Sequence, residues 1–300
     1  MSVRHAVKSQ FYFWQRRIAR EFARPAANQP ANRLVIFVMH VINPARSEMA
    51  VSPGRFQEQM RSLLEAGYRP LAMDDVLEAL SGRALSSPSF SVTFDDGYES
   101  VVTQALPILE SLSIPAAVFL TTGFLDGTVT PPWRSSNPAL LAEYRGQAKH
   151  FQPMSWQQAR ELARHPLICI GSHTVSHPVL GLAPEDAVRD EMVRSKSILA
   201  DQLGVTSDLF AYPFGVRRYD AYSDKTEELL RETGYRCSFT SEISRARVGD
   251  GPWSIPRISL TEADLGVDAV AKAAGGYDWV GTAQTIYQSI FPNPHKGPNE

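Results

Sequence analysis

Two adjacent carboxylates, Asp95 and Asp96, end the apolar run 90–94 (Phe-Ser-Val-Thr-Phe) and precede Gly97-Tyr98. A β-rich run that stops at a charged pair and a glycine places the pair at the C-terminal end of a strand, where α/β folds keep their chemistry. Neighbouring strand residues point to opposite faces, so both aspartates serve one site only if the strand has already ended; Gly97 supplies the freedom for that turn. The plainer reading is an Asp-Gly turn with two solvated acids. His173 and His177, four apart in Ser-His-Thr-Val-Ser-His-Pro (172–178), would share a face on a helical turn and could bind one divalent metal. Alone, such a pair is more often a surface or capping feature. Tyr212-Pro213-Phe214-Gly215 reads as a tight turn whose backbone N–H groups could face a site. Arg257 begins a strand and His40 ends the first one; singly, these read as a surface ion pair and a structural histidine. Together the residues are far more specific. Two histidines and one carboxylate make a triad that leaves metal positions open for water and substrate. A second, unligated carboxylate can act as base, and the cation keeps both acids ionised.

The elements that must position these groups alternate. Strands are expected at 34–39, 70–72, 90–94, 116–120, 167–170, 209–211, 237–240 and 255–259. Helices are expected at 53–66, 74–80, 100–112, 155–164, 184–203, 223–233 and 262–274. Ser52-Pro53 is a helix start, Gly67 and Gly204 are stops, and Val188, Met192, Ser195, Leu199 and Leu203 form a stripe at helical spacing. About seven strand–helix alternations argue for a parallel sheet, and in one chain of this length they favour closure into a barrel. The stretch 121–154, rich in Gly, Pro, Ser and Asn, is too long to be an idle connection.

Three hundred residues suit one large α/β domain. A net charge of −2 gives no electrostatic footprint for nucleic acid. The two cysteines, Cys169 and Cys237, sit in apolar strand-like runs and read as reduced core residues. No uninterrupted apolar stretch approaches the length of a membrane span. Residues 1–24 interleave Arg4, Lys8, Arg16, Arg17, Arg20 and Arg24 with Phe11, Tyr12, Phe13, Trp14, Ile18 and Phe22. They lack the uncharged core of an export signal and read as a basic amphipathic helix, packed on the domain or resting on an anionic membrane face. The expected organisation is an N-terminal helix and linker (1–32), a barrel domain (33–290) and a tail (291–300), cytoplasmic or peripheral to the inner membrane face.

Thr93-Phe94-Asp95-Asp96-Gly97-Tyr98, Gly171-Ser172-His173-Thr174-Val175-Ser176-His177-Pro178 and Ala211-Tyr212-Pro213-Phe214-Gly215 resemble the successive motifs of the polysaccharide deacetylases, the NodB-homology group or carbohydrate esterase family 4. The resemblance covers about 33–260. It implies a distorted (β/α) barrel of about seven parallel strands and metal-dependent removal of N-acetyl groups from sugars. By position, Asp95 matches the base, Asp96, His173 and His177 the metal ligands, the Phe214 N–H an oxyanion donor, and Arg257 the residue orienting the base. Zn²⁺ is the simplest metal, with Co²⁺, Ni²⁺ or Mn²⁺ as alternatives. Ala211-Tyr212 departs from the family's arginine before the proline turn, and the usual C-terminal Leu-x-His is missing; His295 lies in a Pro-rich tail. Phe37-Val38-Met39-His40 resembles instead a branch with an N-terminal histidine, which makes His40 the acid. Tyr98, Trp133, Tyr212 and Trp253 fall near strand ends and could offer faces to sugar rings or equally pack the long loops. The resemblance thus implies an N-acetylated glycan as partner, polymeric or lipid-linked, in exopolysaccharide or capsule assembly. A related hydrolase of non-sugar C–N bonds and a silent glycan-binding module are the alternatives.

Overall fold

The computed structural model describes residues 31–45, 47–129, 131 and 147–281, together with Arg17, Arg20 and Glu21. Its first half runs β1 (Arg33–Met39), β2 (Val41–Ile42), β3 (Ala50–Val51), α1 (Pro53–Glu65), β4 (Arg69–Pro70), α2 (Met73–Leu80), β5 (Ser89–Phe94) and α3 (Leu106–Leu112). Then come β6 (Ala116–Leu120), α4 (Thr122–Leu125), α5 (Trp156–Ala163), β7 (Ile168–Ser172) and α6 (Glu185–Leu203). The last part is β8 (Leu209–Ala211), α7 (Asp224–Glu232), β9 (Cys237–Phe239), β10 (Ala246–Arg247), β11 (Ile258–Ser259) and α8 (Gly266–Ala273).

Strands β1, β5, β6, β7, β8 and β9 pair in that order, all parallel. The ring then closes. Phe239 at the end of β9 bridges Ile255 in parallel, and three residues on, β11 pairs with β1 (Phe37↔Ile258). Counting the segment 255–259 as one stave gives the seven expected from the sequence. Closure is irregular: β7 and β8 share the single pair Ser172↔Phe210, and β10 lies antiparallel beside the start of β1. Both faces of the staves are covered, which is why β5 and β6 are buried throughout and read as continuous runs. Val35, Phe37, Phe90, Val92 and Val118 face Phe56 and Met60 of α1, Leu109 of α3 and Leu199 of α6. Ile36, Phe119, Ala211, Phe239 and Ile255 pack with Val76, Leu77 and Leu80 of α2. With Phe90, Val92 and Phe94 on the helix side, alternation turns Ser91, Thr93 and the next residue, Asp95, to the barrel interior.

Local rules set the helix ends. Ser52 caps α1 ahead of Pro53, and Ser155 and Gln158 form a capping box on α5. Gly204 ends α6 at φ +67°. The helix expected over 100–112 instead begins with a wide turn, Val101–Ala105, where Leu106 N–H reaches back to Val101 O. Pro107 has no N–H to offer the carbonyl four residues back, and the widened turn accommodates that. Cys169 and Cys237 are free thiols, as expected. Among the described residues no helix is long and apolar enough to cross a membrane. Most of the expected N-terminal helix and the tail lie outside the described residues; Arg20, however, forks onto buried Asp268 at the start of α8 (2.7 and 2.8 Å).

The closing stave is fastened from outside by a buried pair. Lys272 of α8 donates to Asp264 Oδ2 and Ser259 O, both at 2.8 Å, and Asp264 Oδ2 also accepts from Thr261 N and Oγ1. Burial raises the Asp264 carboxyl, but Lys272 and the Thr261 donors outweigh it and hold the group below its ordinary range. A depressed carboxylate stabilises the fold above its unfolded pKa of about 4 and loses that contribution as pH falls toward its folded value. Asp264→Asn therefore costs about 3 kcal/mol of unfolding free energy at neutral pH, and the gap to wild type narrows below about pH 4. Urea melts across that range read both effects.

Candidate active site

At the mouth of the barrel, Asp95 N–H extends the ladder by one bond, to Met39 O at 3.0 Å. The chain then reverses: Asp96 and Gly97 take φ +73° and +86°. This is the strand ending that the two adjacent aspartates require. A β-carbon at Gly97 would stand 2.9 Å from Leu120 Cδ2, so a side chain there would be strained by φ and would push the Leu120 tip aside.

His173 follows β7 directly, its N–H on Leu120 O. Its Nδ1 donates to Ala211 O at 2.7 Å, which leaves the Nε2 lone pair facing the mouth. The expected helical turn between the two histidines does not form. Thr174 and His177 adopt left-handed φ of +67° and +59°, and Thr174 Oγ1 accepts from His177 N at 2.9 Å, so an irregular loop brings the rings together. Helical bonding would need those backbones in the right-handed region.

Asp96 Oδ1 stands 3.5 Å from His173 Nε2 and 3.3 Å from His177 Nε2. One ligand atom from each of the three residues lies within 4.8 Å of the others, and Asp96 Oδ1 is buried without a hydrogen-bond partner among the described residues. Four bonds of about 2.0–2.1 Å at tetrahedral angles separate ligand atoms by roughly 3.3–3.4 Å, so these donors fit a zinc-like cation. Burial would raise the Asp96 carboxyl, but His177, His40 and His173 hold it far below the usual range. Burial also pushes His173 down to about 4, keeping the imidazole neutral as a ligand must be.

Asp95 has a different partner. Arg257, wholly buried in the closing stave, grips both its oxygens at 2.7 Å and also donates to Thr240 O and Thr93 Oγ1. The guanidinium lies 5.6 Å from the Phe119 ring centroid. Burial opposes ionisation of Asp95, yet Arg257 and then His173 hold its carboxyl below its ordinary value. Each carboxylate oxygen retains a second lone pair for a proton. His40, half-buried one residue beyond β1, makes no hydrogen bond among the described residues, and its charge is felt at both Asp95 and Asp96.

Phe214 sits at φ +62° with its ring half-exposed and edge-on to His177, 4.8 Å between centroids. Its N–H has no acceptor among the described residues. Of the other aromatics, Tyr98 and Tyr212 pack inside the molecule. Tyr98 is 1% exposed against Phe151, and Tyr212 is wholly buried and stacked on Tyr222 at 4.8 Å. Both rings cover the barrel and offer no face to a sugar, because burying such apolar area is worth more than leaving it wet. Trp253 is half-buried beneath the Arg231 guanidinium, and Trp133 lies outside the described residues. The aromatic wall at the site is thus Phe214, with Phe124 stacked against His177 at 6.1 Å; sequence reading singled out neither ring.

The mouth of a parallel barrel thus carries a two-histidine, one-carboxylate cluster that could hold a metal ion, beside an arginine-held aspartate. The model of the polysaccharide deacetylase family matches residues 82–238, and the chain belongs to that family. It is 26% identical over 262 residues to the poly-β-1,6-N-acetyl-D-glucosamine N-deacetylase of Escherichia coli (strain K12), covering 77% of this chain and 37% of that relative. The chain therefore spans little more than a third of that protein. The structure of IcaB from Ammonifex degensii is 28% identical with a TM-score of 0.67, covering 82% of this chain and 98% of that one. The Streptococcus pyogenes deacetylase PplD in complex with acetate shares the fold at 24% identity, with a TM-score of 0.66 over 82% and 99% of the two chains.

Removing the guanidinium alone would strand a buried carboxylate. Arg257→Met is expected to cost about 3–5 kcal/mol of unfolding free energy, and adding Asp95→Asn to it to recover part of that loss. A double-mutant cycle in chelator, read by urea melts, checks this; additive losses would show that the pair is not coupled.

Proposed function

We propose that this chain hydrolyses the acetamide of N-acetylglucosamine-type residues in a glycan, with a divalent cation held by Asp96, His173 and His177. The observation that carries the reading is the division of labour between neighbouring aspartates: Asp96 Oδ1 faces two imidazoles, while both oxygens of Asp95 are held by Arg257. The cation, most simply Zn²⁺, supplies Lewis acidity to water and to the amide carbonyl. Asp95 takes the proton from the attacking water, and Arg257 keeps it ionised and aimed. The Phe214 N–H donates to the oxyanion as the carbonyl carbon becomes tetrahedral. His40 delivers a proton to the departing nitrogen, so the C–N bond breaks to give acetate and a free amine. The half-exposed Phe214 ring gives the substrate an apolar surface beside His177. The name of the Escherichia coli relative supports a β-1,6-linked N-acetylglucosamine polymer, and with it a place in exopolysaccharide synthesis.

Acetate release from N-acetylglucosamine oligomers is expected to stop in chelator and return with Zn²⁺. Asp95→Asn lowers turnover by about 10²–10⁴-fold with metal content unchanged, whereas His173→Ala loses the metal itself. Equal turnover by Asp95→Asn and wild type would remove the base. His40→Ala keeps the metal and lowers turnover by about 10²-fold or more, most on amides with strongly basic leaving groups. A full-rate variant would remove the acid.

A further inference from the structure

Helix α6 passes behind the histidine loop and touches the chain just ahead of each histidine. Ser195 shares a 2.6 Å hydroxyl bond with Ser172, the residue before His173, and is itself braced by Met192 O and Tyr235 OH, each at 3.3 Å. One turn earlier, Glu191 accepts from Val175 N at 2.7 Å, Ser176 N at 2.9 Å and Ser176 Oγ at 2.6 Å, and Ser176 is the residue before His177. Residues four apart stand one above the other on a helix face, so a single rigid rod fixes both ends of the loop. The one-turn spacing that the histidines lack in their own backbone is present in the helix beside them.

The loop needs such a hold. Thr174 and His177 both carry β-carbons at left-handed φ. Conformations of that kind are strained and persist only where the surroundings over-determine them. Glu191 forms no ion pair among the described residues, so its charge is committed to two loop N–H groups and a hydroxyl. Bonds to an ionised acceptor are about twice as strong as neutral ones, which suits them to this task. Without them, Thr174 and His177 would relax toward right-handed or extended backbone, and His177 Nε2 would leave its place opposite Asp96 Oδ1.

We infer that Glu191 is a positioning residue for the metal-ligating histidines. Affinity for the cation then depends on a carboxylate that touches neither metal nor substrate. The inference rests on the reading of Asp96, His173 and His177 as metal ligands, and its test separates the two. The full chain, stripped with chelator, is titrated with Zn²⁺ against a chromophoric competitor and with Co²⁺ by visible absorption. Glu191→Leu is expected to bind about 10–100-fold more weakly and to change the Co²⁺ spectrum, as loss of an outer-shell partner does. Glu191→Gln keeps a carbonyl for the two N–H groups but loses the charge, and is expected to bind about 3–10-fold more weakly. Excess Zn²⁺ restores acetate release in both variants, which a merely unfolded protein would not show. If His173→Ala binds as tightly as wild type, the metal reading fails and the inference with it. If His173→Ala loses binding while both Glu191 variants stay within about twofold of wild type, the inference alone is overturned. Should Glu191→Leu not fold, Glu191→Gln decides by the same criterion.

Discussion

Two carboxylates on consecutive residues, both shut away from water, keep their charges only if each has a cation of its own. Asp95 and Asp96 are each 3% exposed, so neither relies on solvent. The fold answers this by sending them to different partners. Arg257 is the fixed cation for Asp95; the space between Asp96 Oδ1 and the two Nε2 atoms suits a second, exchangeable one. Holding Asp95 by both oxygens keeps it apart from the Asp96, His173 and His177 cluster. The reversal at Asp96 and Gly97 makes the separation geometrically available.

The same arginine ties chemistry to architecture. Arg257 lies in the segment that closes the barrel, between Ile255 beside β9 and Ile258 beside β1. Its guanidinium reaches across the interior to Thr240, Thr93 and Asp95. A buried charge of this kind is costly by itself, so barrel closure and an ionised Asp95 stand or fall together. Around it, His177, Phe214 and Asp96 all hold left-handed backbone, which non-glycine residues adopt only under constraint. The constraint comes from neighbours: Thr174 on His177, Ala211 O on the His173 ring and Glu191 on the loop between. Strain of this sort is expected where a site must be held ready for its ligand.

Much of this was legible in the sequence, for identifiable reasons. Strands β5 and β6 read clearly because both faces are buried and their runs are unbroken. The Asp-Asp-Gly turn announced itself because only a strand end lets adjacent side chains meet. The path between His173 and His177 was misread, since i,i+4 spacing mimics a helix and nothing local reveals two left-handed residues. Tyr98 and Tyr212 were misplaced because an aromatic near a strand end can line a site or roof a core, and only packing decides. Glu191 was invisible for a related reason: it sits beside buried Met192 on an amphipathic helix, where one more glutamate looks like solvated surface.

If the neighbouring aspartates have separate cations, a bound metal will touch one of them and not the other. Crystals grown with Zn²⁺ and measured on both sides of the zinc absorption edge test it most directly. One strong anomalous peak is expected, bonded to Asp96, His173 Nε2 and His177 Nε2, with the Asp95 carboxylate still forked onto Arg257. No peak there, or a peak to which Asp95 is itself bonded, would contradict it.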